Sequence, residues 1–267
     1  MDLSQPRVMG ILNVTPDSFS DGGNFFSTEK ALARAQEMVR EGAMIIDVGG
    51  ESTRPGARAV GVQEELDRVI PVIEVLTKEL PVIVSIDTSK SEVMIEAVAA
   101  GAGMINDVTA LRTEAALQVA AMRDVWICLM HMQGEPRTMQ QNPRYNNVVE
   151  DVKLFLKERI ARCEAAGLSR KRLIVDPGFG FGKTVEQNLS LIKHLAAFAE
   201  LGSPILVGVS RKSTVGTLLG APVDQRLFGS IALATSACLS GASIIRAHDV
   251  KATYDALKIC QALRQTE

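Results

Sequence analysis

Eight short apolar runs punctuate the chain: VMGILNV (8–14), MIIDVGG (44–50), VIVSIDT (82–88), MINDVT (104–109), WICLMH (126–131), LIVDPG (173–178), ILVGVS (205–210) and SIIRAH (243–248). Each is too short for a helix and several are rich in β-branched residues, the pattern of parallel strands buried on both faces. Between them, apolar residues recur at helical spacing. TEKALARAQEMVREG predicts a helix opening after Ser27 and closing at Gly42; VQEELDRVIPVIEVLTKEL and VVEDVKLFLKERIARCEAAG, the latter ending at Gly167, carry the same period. Eight strands alternating with about eight helices over 267 residues predict an α/β fold, a single (β/α)8 TIM barrel covering 1–267. A doubly wound sheet would hold fewer strands or need a second domain.

In such a barrel the functional site lies at the C-terminal strand ends. Those ends deliver Asn13, Asp47, Asp87, Asn106 with Asp107, His131, Asp176, Ser210, and Arg246 with His248. A single strand-end Asp or Asn is as often a turn former or helix cap. A polar group at every strand end is the lining of a ligand site.

Composition narrows the ligand. With 29 Lys and Arg against 31 Asp and Glu the net charge is −2, without the basic excess of a nucleic-acid or anionic-membrane binder. The start, MDLSQPR, lacks a charged-then-apolar run, so no signal peptide is expected. Cys128, Cys163, Cys238 and Cys260 are scattered without CxxC or zinc spacing and read as reduced core thiols of a cytoplasmic protein. The uncharged stretch Leu227–Ile245 is long enough to span a bilayer, but its serines, threonine and glycines make it a buried helix followed by a strand. Its small side chains permit close packing, and a homodimer is expected. Aromatics are only 4% of the chain.

The loops carry the chemistry. PGFGFGKT (177–184) resembles a phosphate-binding P-loop, but Pro177 stands where that pattern needs Gly, so the glycines are read as a tight turn presenting Phe179 and Phe181 to a planar ligand. NVTPDSFSDGG (13–23) and GGESTRPGA (49–57) are long, polar strand-to-helix loops of the kind that act as lids. Asn13 and nearby oxygens suit a hard cation such as Mg²⁺, while Thr53 and Arg54 suit phosphate. GVSRKST (208–214) and IRAHD (245–249) place Lys212, Ser213, Arg246 and His248 at the ends of strands seven and eight, where barrels often bind phosphate. Asp87, Asn106 and Asp176, from strands three, four and six, would converge inside the barrel. There they need N–H partners, which a flat heterocycle with a guanidine-like edge supplies.

Taken in order, LNVTPDSFSDGG, IDVGGESTRPGA, SIDTSK, INDV, LMHMQG, DPGFGFGK, VGVSRKS and IRAHDV resemble the dihydropteroate synthase family from about Val8 to about Tyr254. The resemblance implies a transferase that joins 6-hydroxymethyl-7,8-dihydropterin diphosphate to p-aminobenzoate and releases pyrophosphate, with Mg²⁺ as cofactor. It implies that Asp87, Asn106 and Asp176 bind the pterin edge, with Lys212 on the carbonyl side. Asn13 would help hold Mg²⁺, and Thr53, Arg246 and His248 would contact phosphate oxygens. The p-aminobenzoate ring would lie among Phe19, Thr53, Pro55, Phe181 and the stem of Lys212, its carboxylate near Ser213. Asp87, Asp176, Lys212, Arg246 and His248 would then be the catalytic set. His131 is considered as a general base and is not assigned that role. A pterin-binding methyltransferase barrel is the nearest alternative, but it has no use for a diphosphate-reading Arg246 and His248.

Overall fold

The structure, a computed structural model, describes residues 1–15, 24–52, 58–135 and 138–265, with the backbone alone at 24–27. Its strands are β1 (Arg7–Asn13), β2 (Ala43–Gly49), β3 (Ile83–Asp87), β4 (Met104–Asp107), β5 (Trp126–Met130), β6 (Leu173–Asp176), β7 (Leu206–Gly208) and β8 (Ile244–Ala247). The helices between them are α1 (Asn24–Arg40), α2 (Val62–Glu79), α3 (Ser91–Ala99), α4 (Glu114–Ala121), α5 (Val148–Ala165), α6 (Val185–Lys193), α7 (Ser213–Leu219), α8 (Leu227–Leu239) and α9 (Val250–Gln265).

All strand pairings are parallel, in the order β6-β5-β4-β3-β2-β1-β8-β7. The ring closes between β6 and β7 through one isolated parallel bridge, Val175 to Ile205, with Val175 N–H donating to the Pro204 carbonyl at 2.9 Å. The expected (β/α)8 barrel is therefore present, with one seam much thinner than the rest.

Side chains alternate across each strand, and that period of two separates floor from site. Met9, Ile45, Met104, Cys128, Ile174, Leu206 and Ile244 form one fully buried cluster, with Ile83 packed against it. Each strand thus sends one apolar residue into the barrel floor. The residue two positions on faces the same way, one layer nearer the mouth: Ile11, Asp47, Ser85, Asn106, Met130, Asp176, Gly208 and Arg246. The outward-facing residues, such as Val8, Ile46, Val84, Ile105, Ile127 and Val175, join the larger core beneath the helices. All four cysteines are buried free thiols.

Two expectations change. Helix α1 begins at Asn24, three residues before Ser27. The stretch from Leu227 does form helix α8 and then β8, but only one face of α8 is buried, through Ser230, Ala234, Ala237 and Cys238. Phe228 on the other face is 84% exposed. Among the described residues no helix is long and apolar enough to cross a membrane.

Candidate active site

The C-terminal mouth of the barrel holds a cavity of about 690 Å³. Asn13, Asp87, Lys212, Ser213, Arg246 and His248 line it, with Phe181 and Glu51. Phe19, Thr53 and Pro55 lie outside the described residues.

Arg246 is the centre of the polar layer. Its Nε donates to Asp47 Oδ2 at 2.6 Å and its Nη2 to Asp87 Oδ2 at 2.7 Å. Asn106 Nδ2 donates to the same Asp47 oxygen at 3.0 Å. Three strands that are distant in sequence are tied by one guanidinium, whose planar fork suits two carboxylates at once. The paired carboxylates hold the Arg246 guanidinium well above its usual range against the opposing effect of burial. Burial also pushes the Asp87 carboxyl up to about 7, with Asp47 and Glu65 adding to the rise and Arg246 opposing it. Asp176 is pushed up to about 6 by burial, opposed by the Gly178 N–H and by Lys212, Lys183 and Arg246. Asp87 and Asp176 thus lie near the neutral range, as acid-base and charge-stabilising groups often do.

The other wall is built on β7 and β8. Lys212 precedes α7 and its Nζ sits 3.9 Å over the Phe181 ring, a cation–π contact that couples the two loops. Ser210 Oγ lies 3.0 Å from His248 Nδ1 and accepts the His248 backbone N–H at 3.1 Å, fixing the imidazole at the cavity edge. Arg211, with φ 56°, also lines the cavity and pairs with Asp249. Behind the cavity Lys90 joins Glu51 on the rim to the buried Glu65 of α2, which ties the start of the loop after β2 to α3.

The loop after β6 corrects the reading of the two phenylalanines. Phe179 is 1% exposed and belongs to the core beneath the helices. Phe181, two residues on, packs with Val108, Met130, Met132 and Met139 and reaches the cavity. His131 is likewise buried, its ring edge-on to Phe155 at 4.9 Å and its Nδ1 3.0 Å from Lys183 Nζ. Burial, with Lys183 and Arg112 nearby, drives its pKa down to about 2, so it is neutral and no general base for the cavity.

Sequence reasoning assigned no role to Asp47, Lys183, Glu51 or Lys90. Asp47 was visible as a strand-end acid, and the period-two register from Ile45 would have placed it in the ring. Lys183 was visible only as the Lys of a failed P-loop.

The pattern of the pterin binding enzyme family matches residues 9–248. A dihydropteroate synthase of Haemophilus influenzae is 53% identical, over 98% of this chain and 95% of its own length. The chain belongs to the dihydropteroate synthase family. Two solved dihydropteroate synthases of Xanthomonas albilineans align over the whole chain. One, with 4-aminobenzoic acid, has a TM-score of 0.94 at 51% identity over 96% of its length. The other, in complex with 7,8-dihydropteroate, has a TM-score of 0.91 at 48% identity over 97% of its length. A dihydropteroate synthase therefore provides the frame for the cavity: it is the mouth of a transferase barrel, and the ring around Arg246 lies within the matched span.

Proposed function

We propose that the cavity condenses 6-hydroxymethyl-7,8-dihydropterin diphosphate with p-aminobenzoate, with Asp87, Asn106 and Asp176 facing the pterin edge and Lys212 its carbonyl side. The observation that carries this reading is the meeting of both charges at the mouth. The carboxylates of Asp47 and Asp87 converge on Arg246, Asp176 ends β6, and Lys212 and His248 follow β7 and β8. A ligand with a donor-rich ring and an anionic tail matches that set. p-Aminobenzoate then lies against Phe181 and the Lys212 stem, with its carboxylate toward Ser213. The family's synthases crystallised with 4-aminobenzoic acid and with 7,8-dihydropteroate support this pairing.

The step proposed is a dissociative displacement. The bond between the exocyclic pterin carbon and the diphosphate oxygen breaks, and its electron pair leaves with pyrophosphate. The ring system carries the resulting positive charge, which the Asp87 and Asp176 carboxylates stabilise. The arylamine nitrogen then attacks that carbon and gives up a proton to solvent. No protein nucleophile is required. The loops at 13–23 and 49–57 are assigned the task of keeping water from the cation.

Among the described residues no cluster of three or more acidic, His or Cys groups suits a metal. Asn13 lines the cavity, and a single hard protein ligand fits Mg²⁺ that is held largely by phosphate oxygens and water. Asn13 would hold Mg²⁺ there, and the ion would neutralise charge on the leaving diphosphate. The exposed Phe228, Leu218 and Leu219 of α7 and α8 support the homodimer expected from the sequence.

An assay of the purified chain with both substrates and Mg²⁺ tests the reading. Formation of 7,8-dihydropteroate and pyrophosphate in equal amounts is expected. Absence of both products from folded protein would overturn it.

A further inference from the structure

A buried lysine outside the cavity lining stands behind the proposed pterin wall. Lys183 is 3% exposed, yet its Nζ lies within reach of four acceptors. These are the carbonyls of Gly178 at 2.8 Å, Phe181 at 2.9 Å and His131 at 3.5 Å, and the His131 ring Nδ1 at 3.0 Å. A primary ammonium has three protons, so every one is engaged. The acceptors come from the end of β5 and from both ends of the loop after β6.

That loop is wound tightly against β5. Gly178 has φ +70°, and a Cβ there would fall 1.8 Å from the His131 carbonyl oxygen. The turn brings the Gly178 N–H to Asp176 Oδ1 at 2.7 Å, while the His131 N–H binds the Asp176 carbonyl at 2.9 Å. The same peptide unit region that Lys183 holds by its oxygen therefore holds Asp176 by its nitrogen. At the loop's other end Lys183 holds the Phe181 carbonyl, and the Phe181 ring carries Lys212.

We propose that Lys183 is a positioning residue for the pterin site, fixing the turn from Gly178 to Phe181 so that the Asp176 carboxylate and the Phe181 ring hold their places beside Lys212. The inference rests on the pterin reading above and deepens it. An apolar side chain would fill the space but leave the Phe181 and His131 carbonyls and a ring nitrogen unpaired in the interior, with the Gly178 carbonyl keeping only the Phe181 N–H at 3.1 Å, and buried acceptors without donors drive rearrangement. Burial lowers the Lys183 ammonium to about 7, so below that pH its charge acts as well. The titratable and charged groups facing Lys183 are Asp176 from β6, His131 from β5 and Lys212 beyond β7. His131 is neutral, so the influence of Lys183 on the site falls on Asp176, whose ionised form it favours.

The test compares the unaltered chain with Lys183→Met and Lys183→Gln. Binding of 6-hydroxymethylpterin is measured by calorimetry, kcat/KM is followed against pH, and folding is checked by circular dichroism. Displacement of a site group by an ångström can cost about 100-fold, so folded K183M is expected to bind the pterin about tenfold or more weakly. Its acid limb of kcat/KM should move to higher pH, because Asp176 loses a counter-charge. K183Q keeps two N–H donors without the charge, so it should recover part of the affinity but not the limb. Folded K183M with unchanged affinity and an unmoved limb would overturn the proposal. So would failure of both variants to fold, which would make Lys183 a residue of the fold rather than of the site. Absence of pterin binding by the unaltered chain would instead remove the reading beneath it, and the inference with it.

Discussion

Arg246 and Asp47, 199 residues apart along the chain, meet at 2.6 Å in the barrel mouth. Asp47 is fully buried, and its Oδ1 has no partner among the described residues. Its one engaged oxygen serves both Arg246 and Asn106. Removing one partner of a buried pair leaves an uncompensated charge, which costs about 3–5 kcal/mol. Asp47→Ala is therefore expected to lower unfolding free energy by about 3 kcal/mol in urea titration. It should also lower kcat/KM for the pterin substrate by releasing Arg246. Wild-type values for both quantities would show that Asp87 alone positions the guanidinium.

The pH profile follows from the two raised carboxyls. Asp87 and Asp176 lose their charge as pH falls through about 7 and about 6 respectively. If both must be ionised to stabilise the cationic ring, kcat/KM drops below neutrality. The slope should steepen toward two protons at the acid end, the two apparent values belonging to the coupled site. Asp176→Asn should reduce that slope to one. A flat profile from pH 5 to 8 would remove the carboxylates from the step.

Asp176 also links activity to stability, with a fixed sign. Its folded value of about 6 lies above the unfolded carboxylate value, so between those two values the folded chain binds a proton that the unfolded chain has released. Wild-type stability therefore declines as pH rises from about 4 to about 6 through this group, by on the order of 2–3 kcal/mol, and stays lowered above. Asp176→Asn removes that decline while losing most turnover. Urea midpoints of the two proteins at pH 4.5 and 7.5 measure it, and parallel changes would contradict it. Asp176→Ala should likewise stay folded and lose most activity.

Asn13→Ala addresses the metal. With its one oxygen ligand gone, half-maximal activity should require about tenfold or more Mg²⁺, while p-aminobenzoate KM stays near wild type. An unaltered Mg²⁺ requirement would place the ion entirely on substrate oxygens.

Phe228→Asp tests the subunit count. Sedimentation velocity should give a dimer for the unaltered chain and a monomer for the variant, since a charge in an apolar contact is left without a partner. A stable monomer of the unaltered chain would dismiss the dimer.

The barrel was legible because each strand is buried on both faces and each helix on one, so the two periods separate cleanly along the chain. The mouth was legible because a strand's last inward residue needs no tertiary knowledge to locate. Phe179 and Phe181 were harder: both stand in a glycine-rich loop, and which of two alternate side chains faces the core depends on how the turn folds over β5. The Arg246–Asp47 pair was hidden for another reason. Both residues were visible as strand ends, but a contact across the ring depends on side-chain reach, which no spacing encodes. Lys183 gave no signal beyond its place after glycine, since a lysine is normally solvated and its burial here depends on carbonyls supplied by the loop's own winding.

The thin seam between β6 and β7 lies between Asp176 and Lys212. Every other neighbouring pair of strands is laced by a ladder, whereas here the ring is joined by one bridge. A pterin gripped by Asp176 on one side and Lys212 on the other would complete that seam from above, much as a clasp closes a bracelet. The substrate then belongs to the architecture as well as to the chemistry. Amide protons of β6 and β7, taken as a set, should exchange with solvent sooner than those of β1 and β2, and should slow most when the mouth is filled.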